Sequence, residues 1–224
     1  MNPRALTHVS SRSAPGADNL LHDLDRALTA LAGRPPSRLS LHAARCCRDA
    51  RGWFEAMARS HASRGANEPV WITARWSWGP NPWPLCWCEA LEATELDCGA
   101  LAELAEAALK ATGAEVCRVQ LVESSHAEQV AHWQARWEEV RGAEPWIWGS
   151  LVYHEAVGVL DGATLRVWDP TEGAWRTLTR GAATGRTVAI RLVSDSAAEV
   201  QTPHLLGWDG VELPIGRWTA LPQG

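Results

Sequence analysis

Leu96-Asp97-Cys98-Gly99-Ala100-Leu101 opens a stretch in which Leu101, Leu104, Ala105, Ala108 and Leu109 recur at i, i+3, i+4, i+7 and i+8 before Gly113. That spacing predicts an amphipathic helix stopped by the glycine. Asp97 is a good N-cap, which puts Cys98 in the first turn beside backbone N–H groups that have no helical partner. Downstream the period changes to two. Leu151-Val152-Tyr153-His154-Glu155-Ala156-Val157 reads as a strand, and Val167-Trp168-Asp169-Pro170-Thr171 ends a second one. Asp161-Gly162 between them is a turn dipeptide, so residues 149–160 and 165–169 predict an antiparallel hairpin. Helices first and strands later predict an α+β fold, with the cysteine helix packed on an antiparallel sheet.

Outward from this centre the pattern stays legible. Leu20, Leu21, Leu24, Leu28 and Leu31 repeat at helical spacing with Asp18 as cap, and Gly33 and Pro35-Pro36 stop that helix. Ser37 is read as the cap of a second helix reaching about Ser60, and 62–67 as a turn-rich linker. Residues 70–78 alternate and are rich in Trp, Ile and Thr, which predicts a strand. Gly79-Pro80-Asn81-Pro82-Trp83-Pro84 excludes regular structure and is read as a rigid substrate wall. Further elements are expected as a strand at 116–122, a helix from Ser125 with Val130, Trp133, Trp137 and Val140 on one face, and a strand at 187–193. Shorter strands are expected at 205–208 and 211–217. The division read from this is a mobile arm over 1–16, a helical segment over 17–68 and a catalytic core over 69–224.

Composition limits the function classes. The chain has 224 residues with a formal net charge of −5, and no Lys/Arg run marks a nucleic-acid face. No stretch approaches the roughly 20 apolar residues that span a bilayer, and the first 16 residues lack a signal-peptide core, so a cytoplasmic protein without a membrane partner is expected. The six cysteines, including adjacent Cys46-Cys47 and the CxC at Cys86 and Cys88, match neither a disulfide framework nor a common zinc spacing. No cofactor is expected, and a metal-dependent protein using Cys86, Cys88 and a histidine ranks last. Fourteen Trp against one Phe and one Tyr means that Trp must do most of the aromatic core work. The Trp near the cysteine and the hairpin, Trp83, Trp87, Trp148 and Trp168, are read as substrate-binding residues.

Cys98, His154 and Asp169 together specify a reaction class. A thiol with a reference pKa of about 8.5 becomes a nucleophile when a helix N-terminus and an imidazolium lower that value. His154 would act as base and then acid, and Asp169 would orient it. The Cys98 N–H is one oxyanion donor; a second is sought in Trp83, Trp87 or a backbone amide of the Pro-rich loop. Gly99 is read as leaving room for a substrate backbone. Cys117, inside a strand, is read as structural.

These segments resemble the transglutaminase-like branch of the papain-like cysteine enzymes, over about residues 85–176. That resemblance implies a Cys-His-Asp triad at Cys98, His154 and Asp169. It also implies an acyl-enzyme thioester formed from an amide or thioester donor, with a small-molecule, peptide or carrier-bound acyl substrate. An acyltransferase or amide-bond-forming enzyme is the reading preferred here. A peptidase or amidase is the second, and an inactive Trp-rich binding module the third.

Overall fold

The structure is a computed structural model that describes residues 17–41, 45–65, 69–140, 146–161, 164–176, 186–194, 199–201 and 212–221. Helix α1 (Ala17–Leu31) buries Leu24, Ala27 and Leu31 on one face. Its chain then runs extended to Leu41, and Ser40 bridges Cys86. Helices α2 (Arg45–Ser63) and α3 (Val70–Arg75) follow, then the short strand β1 (Ser77–Trp78), helix α4 (Trp87–Glu92) and strand β2 (Glu95–Leu96), which pairs with β1. The cysteine helix is α5 (Cys98–Ala111).

The main sheet comes next, as strands β3 (Val116–Ser124), β4 (Ile147–Trp148), β5 (Leu151–Asp161), β6 (Thr164–Asp169), β7 (Ala174–Arg176) and β8 (Arg186–Val193), with α6 (Ala127–Glu138) between β3 and β4. Strands β9 (Glu199–Gln201) and β10 (Glu212–Pro214) pair with each other, and β11 (Trp218–Ala220) joins the main sheet. Its order is β11-β8-β3-β5-β6-β7 with β4 beside β5, and every pairing is antiparallel. The expected mixed α+β architecture with an antiparallel sheet is therefore present. Among the described residues, no helix is long and apolar enough to cross a membrane.

Apolar packing explains why α5 lies where it does. Ala100, Leu101, Leu104, Ala105 and Ala108 share one buried cluster with Phe54, Ile72, Trp76 and Trp87 on one side and Val157 and Trp168 of the sheet on the other. A helix apolar nearly all round is sandwiched rather than left on a surface. The opposite face of the sheet has its own cluster, with Cys117, Val119, Leu121, Ala156 and Ile190. Trp76, Trp87 and Trp168 are among the largest wholly buried side chains, the role that composition assigned to Trp.

Three expectations about local structure need correction. Residues 70–78 were expected to be one strand but form α3 and then β1; Ile72 and Trp76, four apart, are buried together against Phe54, so helical spacing overrides the apparent alternation. Ser37 caps no helix, since α2 begins at Arg45. Instead its N–H and hydroxyl both donate to the buried carboxylate of Glu155, which needs donors more than an exposed helix end does. The strand expected from 149 begins at Leu151, because Gly149 at φ +59° turns the chain between β4 and β5. The readings for 1–16, Gly162 and 205–208 fall outside the described residues.

Candidate active site

Cys98 is the first residue of α5, and its surroundings are fixed by Asp97. One Asp97 oxygen accepts from the Ala100 N–H at 2.8 Å, closing the N-cap, while the other accepts from the Trp83 indole at 2.5 Å. Asp97 N–H in turn donates to Asn81 Oδ1 at 2.6 Å. The Pro-rich loop is thus fastened to the start of α5. Leu101 N–H goes to the Asp97 carbonyl and Ala100 N–H to the Asp97 carboxylate, which leaves the Cys98 N–H at the open end of the first turn.

The sheet opens where the helix points. β4 pairs with β5 at Leu151 and Val152, and β6 pairs with it from Val157 onward. Between them, His154, Glu155 and Ala156 are paired with β3 on one side, and among the described residues no strand lies on the other. His154 sits in this notch. Its Nε2 lies 3.0 Å from Asp169 Oδ2, and it lines the same cavity as Cys98, near enough to draw the thiol pKa down. With Nε2 committed to Asp169, Nδ1 is the ring nitrogen left for the thiol. The hairpin register therefore unites all three residues expected to act together.

Asp169 is held from several directions. Oδ1 accepts from the Thr171 N–H at 2.9 Å and the Thr171 hydroxyl at 2.8 Å, which gives the Asp-Pro-Thr sequence a local reason. Oδ2 also accepts from Arg176 at 2.6 Å, and Arg176 is paired in turn with Glu123. Burial works against the Asp169 carboxylate, but His154 and Arg176 hold its pKa far below the usual range. Burial also works against the His154 imidazolium, yet Asp169 and Cys98 keep its pKa well above that of a free imidazole.

The thiol departs from expectation. Burial pushes Cys98 above an ordinary cysteine, with Asp97 and Glu155 adding to the rise, while the hydrogen bond and charge of His154 pull it down. The expected lowering by the helix terminus is outweighed by desolvation. Thiol and imidazole therefore both bind protons strongly and compete for the same one, which makes His154 a stronger base than a free histidine. Asp97 itself is raised to about 6 by burial, against the hydrogen bonds from Ala100 and Trp83. Cys117, by contrast, is buried in the strand interior and pushed up to about 12, an inert thiol.

A buried ion network supports the site from behind, and the sequence reading missed it. Arg118, wholly buried, donates to Glu155 at 2.6 Å, Glu103 at 2.8 Å and Glu106 at 3.0 Å, and to the carbonyl oxygens of Ser37 and Gly99. Arg38 reaches Glu103 and Glu106 from the surface. Glu155 also accepts from Ser37 and from the Tyr153 hydroxyl, which Gln120 contacts at 2.7 Å. The available signal was alternation: Arg118 and Gln120 interrupt apolar β3 as solvent-facing residues would, but here that face is covered by α5.

Two further expectations are corrected. Gly99 leaves no room for substrate, because Ser37 occupies it; a Cβ on Gly99 would stand 2.5 Å from Ser37 Oγ. Of the four Trp expected to bind substrate, only Trp83 lines a cavity with Cys98. Trp87 packs on Phe54 at 5.6 Å, Trp168 on Trp175 at 5.5 Å and Trp148 on Trp146 at 6.1 Å, all as buried side chains. Nor does either indole supply the second oxyanion donor. That of Trp83 is spent on Asp97, and that of Trp87 lies in the core.

Cys98 stands between two cavities. One, of about 210 Å³, is walled by Arg34, Trp83, Trp137, Trp146 and Tyr153. The other, of about 540 Å³, holds His154, Asp169, Arg176, Glu123 and Thr187, with Trp78 and Trp133. The sequence reading named neither Arg34 nor Trp146 as a site residue. No family model, curated protein or solved structure matches this chain.

Proposed function

We propose that this chain is a cysteine-dependent acyl-transfer enzyme of the transglutaminase-like, papain-like kind. The carrying observation is that Cys98, His154 and Asp169 line one cavity, with His154 hydrogen-bonded to Asp169 and Cys98 at the junction with a second cavity. Cys98 Sγ attacks the carbonyl carbon of an amide or thioester, and His154 takes the thiol proton. The Cys98 N–H stabilises the developing oxyanion. As the tetrahedral adduct collapses, His154 returns the proton to the departing amine or thiol, leaving an acyl thioester on Cys98. An acceptor amine, deprotonated by the same histidine, then takes the acyl group. Asp169 keeps the ring oriented throughout and is itself fixed by Thr171 and Arg176. Transfer is favoured over hydrolysis because two cavities meet at the thiol, one for the acyl group and one for the leaving and entering groups.

Alkylation of every cysteine by iodoacetamide across pH, read by peptide mass spectrometry, tests this reading. Cys98 is expected to react at least about tenfold faster than Cys117, and His154→Ala should abolish that advantage. A Cys98 no faster than Cys117 would overturn the triad and leave a Trp-lined binding module. Product released from an acyl donor with no amine present would favour the peptidase or amidase reading.

A further inference from the structure

The smaller cavity contains a cation, Arg34, whose side chain has no acceptor among the described residues. Arg34 lies over Trp146, its guanidinium carbon 3.7 Å from the ring centroid, and 5.7 Å from the centroid of Tyr153. Its Nε is buried and has no hydrogen-bond partner, and among the described residues no carboxylate pairs with it. Apart from Cys98, the other polar side chains lining this cavity are engaged. Ser37 is taken by Glu155 and Arg118, Asp97 by Trp83 and Ala100, and the Tyr153 hydroxyl by Glu155 and Gln120. A guanidinium held over an indole ring keeps its N–H donors free of the ring, and a planar carboxylate can accept two parallel hydrogen bonds from them. Trp83, Trp137 and Trp146 add apolar walls, and a space of about 210 Å³ suits one residue-sized group rather than an extended chain.

The geometry points to Arg34 as the anchor for a carboxylate on the acyl substrate, with its reacting carbonyl at Cys98. This assignment rests on Cys98 being the acyl-bearing atom. The substrate class is accordingly a compact acyl group carrying a free carboxylate, as in an amino-acid-like or dicarboxylic donor.

Binding of benzoate, benzamide and phenyl phosphate to the Cys98→Ser protein, followed by isothermal titration and tryptophan quenching, tests it without a reactive thiol. Benzoate should bind more tightly than benzamide. Arg34→Gln should weaken benzoate by roughly ten- to a hundredfold while leaving benzamide unchanged, and Arg34→Lys should recover part of the loss. Equal affinity for benzoate and benzamide, or benzoate binding unaffected by Arg34→Gln, would overturn the anchor. Phenyl phosphate as the preferred ligand would overturn the carboxylate assignment. In parallel, iodoacetamide labelling of unsubstituted protein reports on the triad. Benzoate binding with an inert Cys98 would retain the anion site and sink the acyl-enzyme, and a reactive Cys98 without benzoate selectivity would do the reverse.

Discussion

Replacing Arg118 by Met removes a side chain that ties α5, β5 and the Ser37 segment together. The variant loses the 2.6 Å contact with Glu155, the contacts with Glu103 and Glu106, and the hydrogen bonds to the Ser37 and Gly99 carbonyls. Glu103 and Glu106 keep Arg38, so most of the damage falls on Glu155, which is wholly buried and retains only Ser37 and Tyr153. Stripping one partner from a buried ion pair costs about 3–5 kcal/mol. In a chain of this size that is a fall in Tm of about 6–20 °C. The pH dependence identifies the cause. In the native protein Arg118 holds the Glu155 pKa down against burial, so its contribution is present above the ordinary value of 4.5 and lost as pH falls through the depressed one. Without Arg118, burial raises that pKa, and the penalty grows as pH rises through 4.5. The gap between variant and wild type should therefore narrow on acidification, and Arg118→Met/Glu155→Gln should recover more than half of the loss at pH 7. Urea unfolding followed by tryptophan fluorescence provides the measurement. A loss under about 1 kcal/mol, or a double variant no better than the single, would refute the reasoning.

Other outcomes follow from the site. Asp169→Asn removes the carboxylate that chiefly raises His154, so Cys98 alkylation should slow by roughly 10²–10⁴ at pH 7; an unchanged rate would exclude Asp169 as the orienting group. Because the folded pKa of His154 is raised, its contribution to stability is full below the ordinary value of 6.5 and fades as pH rises through the folded one. Wild-type urea midpoints should therefore decline on the alkaline side, and those of Asp169→Asn should be flatter there. Gly99→Ala drives a Cβ to 2.5 Å from Ser37 Oγ, at a cost of about 1–3 kcal/mol and with slower Cys98 alkylation. Gly99→Ala/Ser37→Gly should relieve the clash, and a single variant as stable as wild type would show that Ser37 yields freely.

Much of this was legible in the sequence because it is written in local signals. The i, i+3, i+4 stripe of α5, the Asp97 cap and the hairpin leading to Asp169 are each set by neighbours within a few residues, and together they bring Cys98, His154 and Asp169 into one place. What the local pattern misread depends on distant partners. Ser37 has the chemistry of a helix cap, and only the burial of Glu155 diverts it. Arg118 and Gln120 alternate as exposed residues do, and only the packing of α5 turns that face into an interior. The Trp near the site in sequence were good guesses for a wall, but size decides their fate. Trp87 and Trp168 fill core volume, whereas Trp137 and Trp146, which were not named as substrate-binding, line the cavities.

Ser37 meets Glu155 across 118 positions of the chain, next to the strand residue that supplies the imidazole. A growing polypeptide that has emerged only as far as α5 therefore carries Cys98 without its histidine, its carboxylate or the buried charges behind it. At that stage the thiol is an ordinary one, and long-range contacts of this kind form late because closing the intervening loop is slow. The three side chains of the proposed site therefore share one cavity only in the finished molecule.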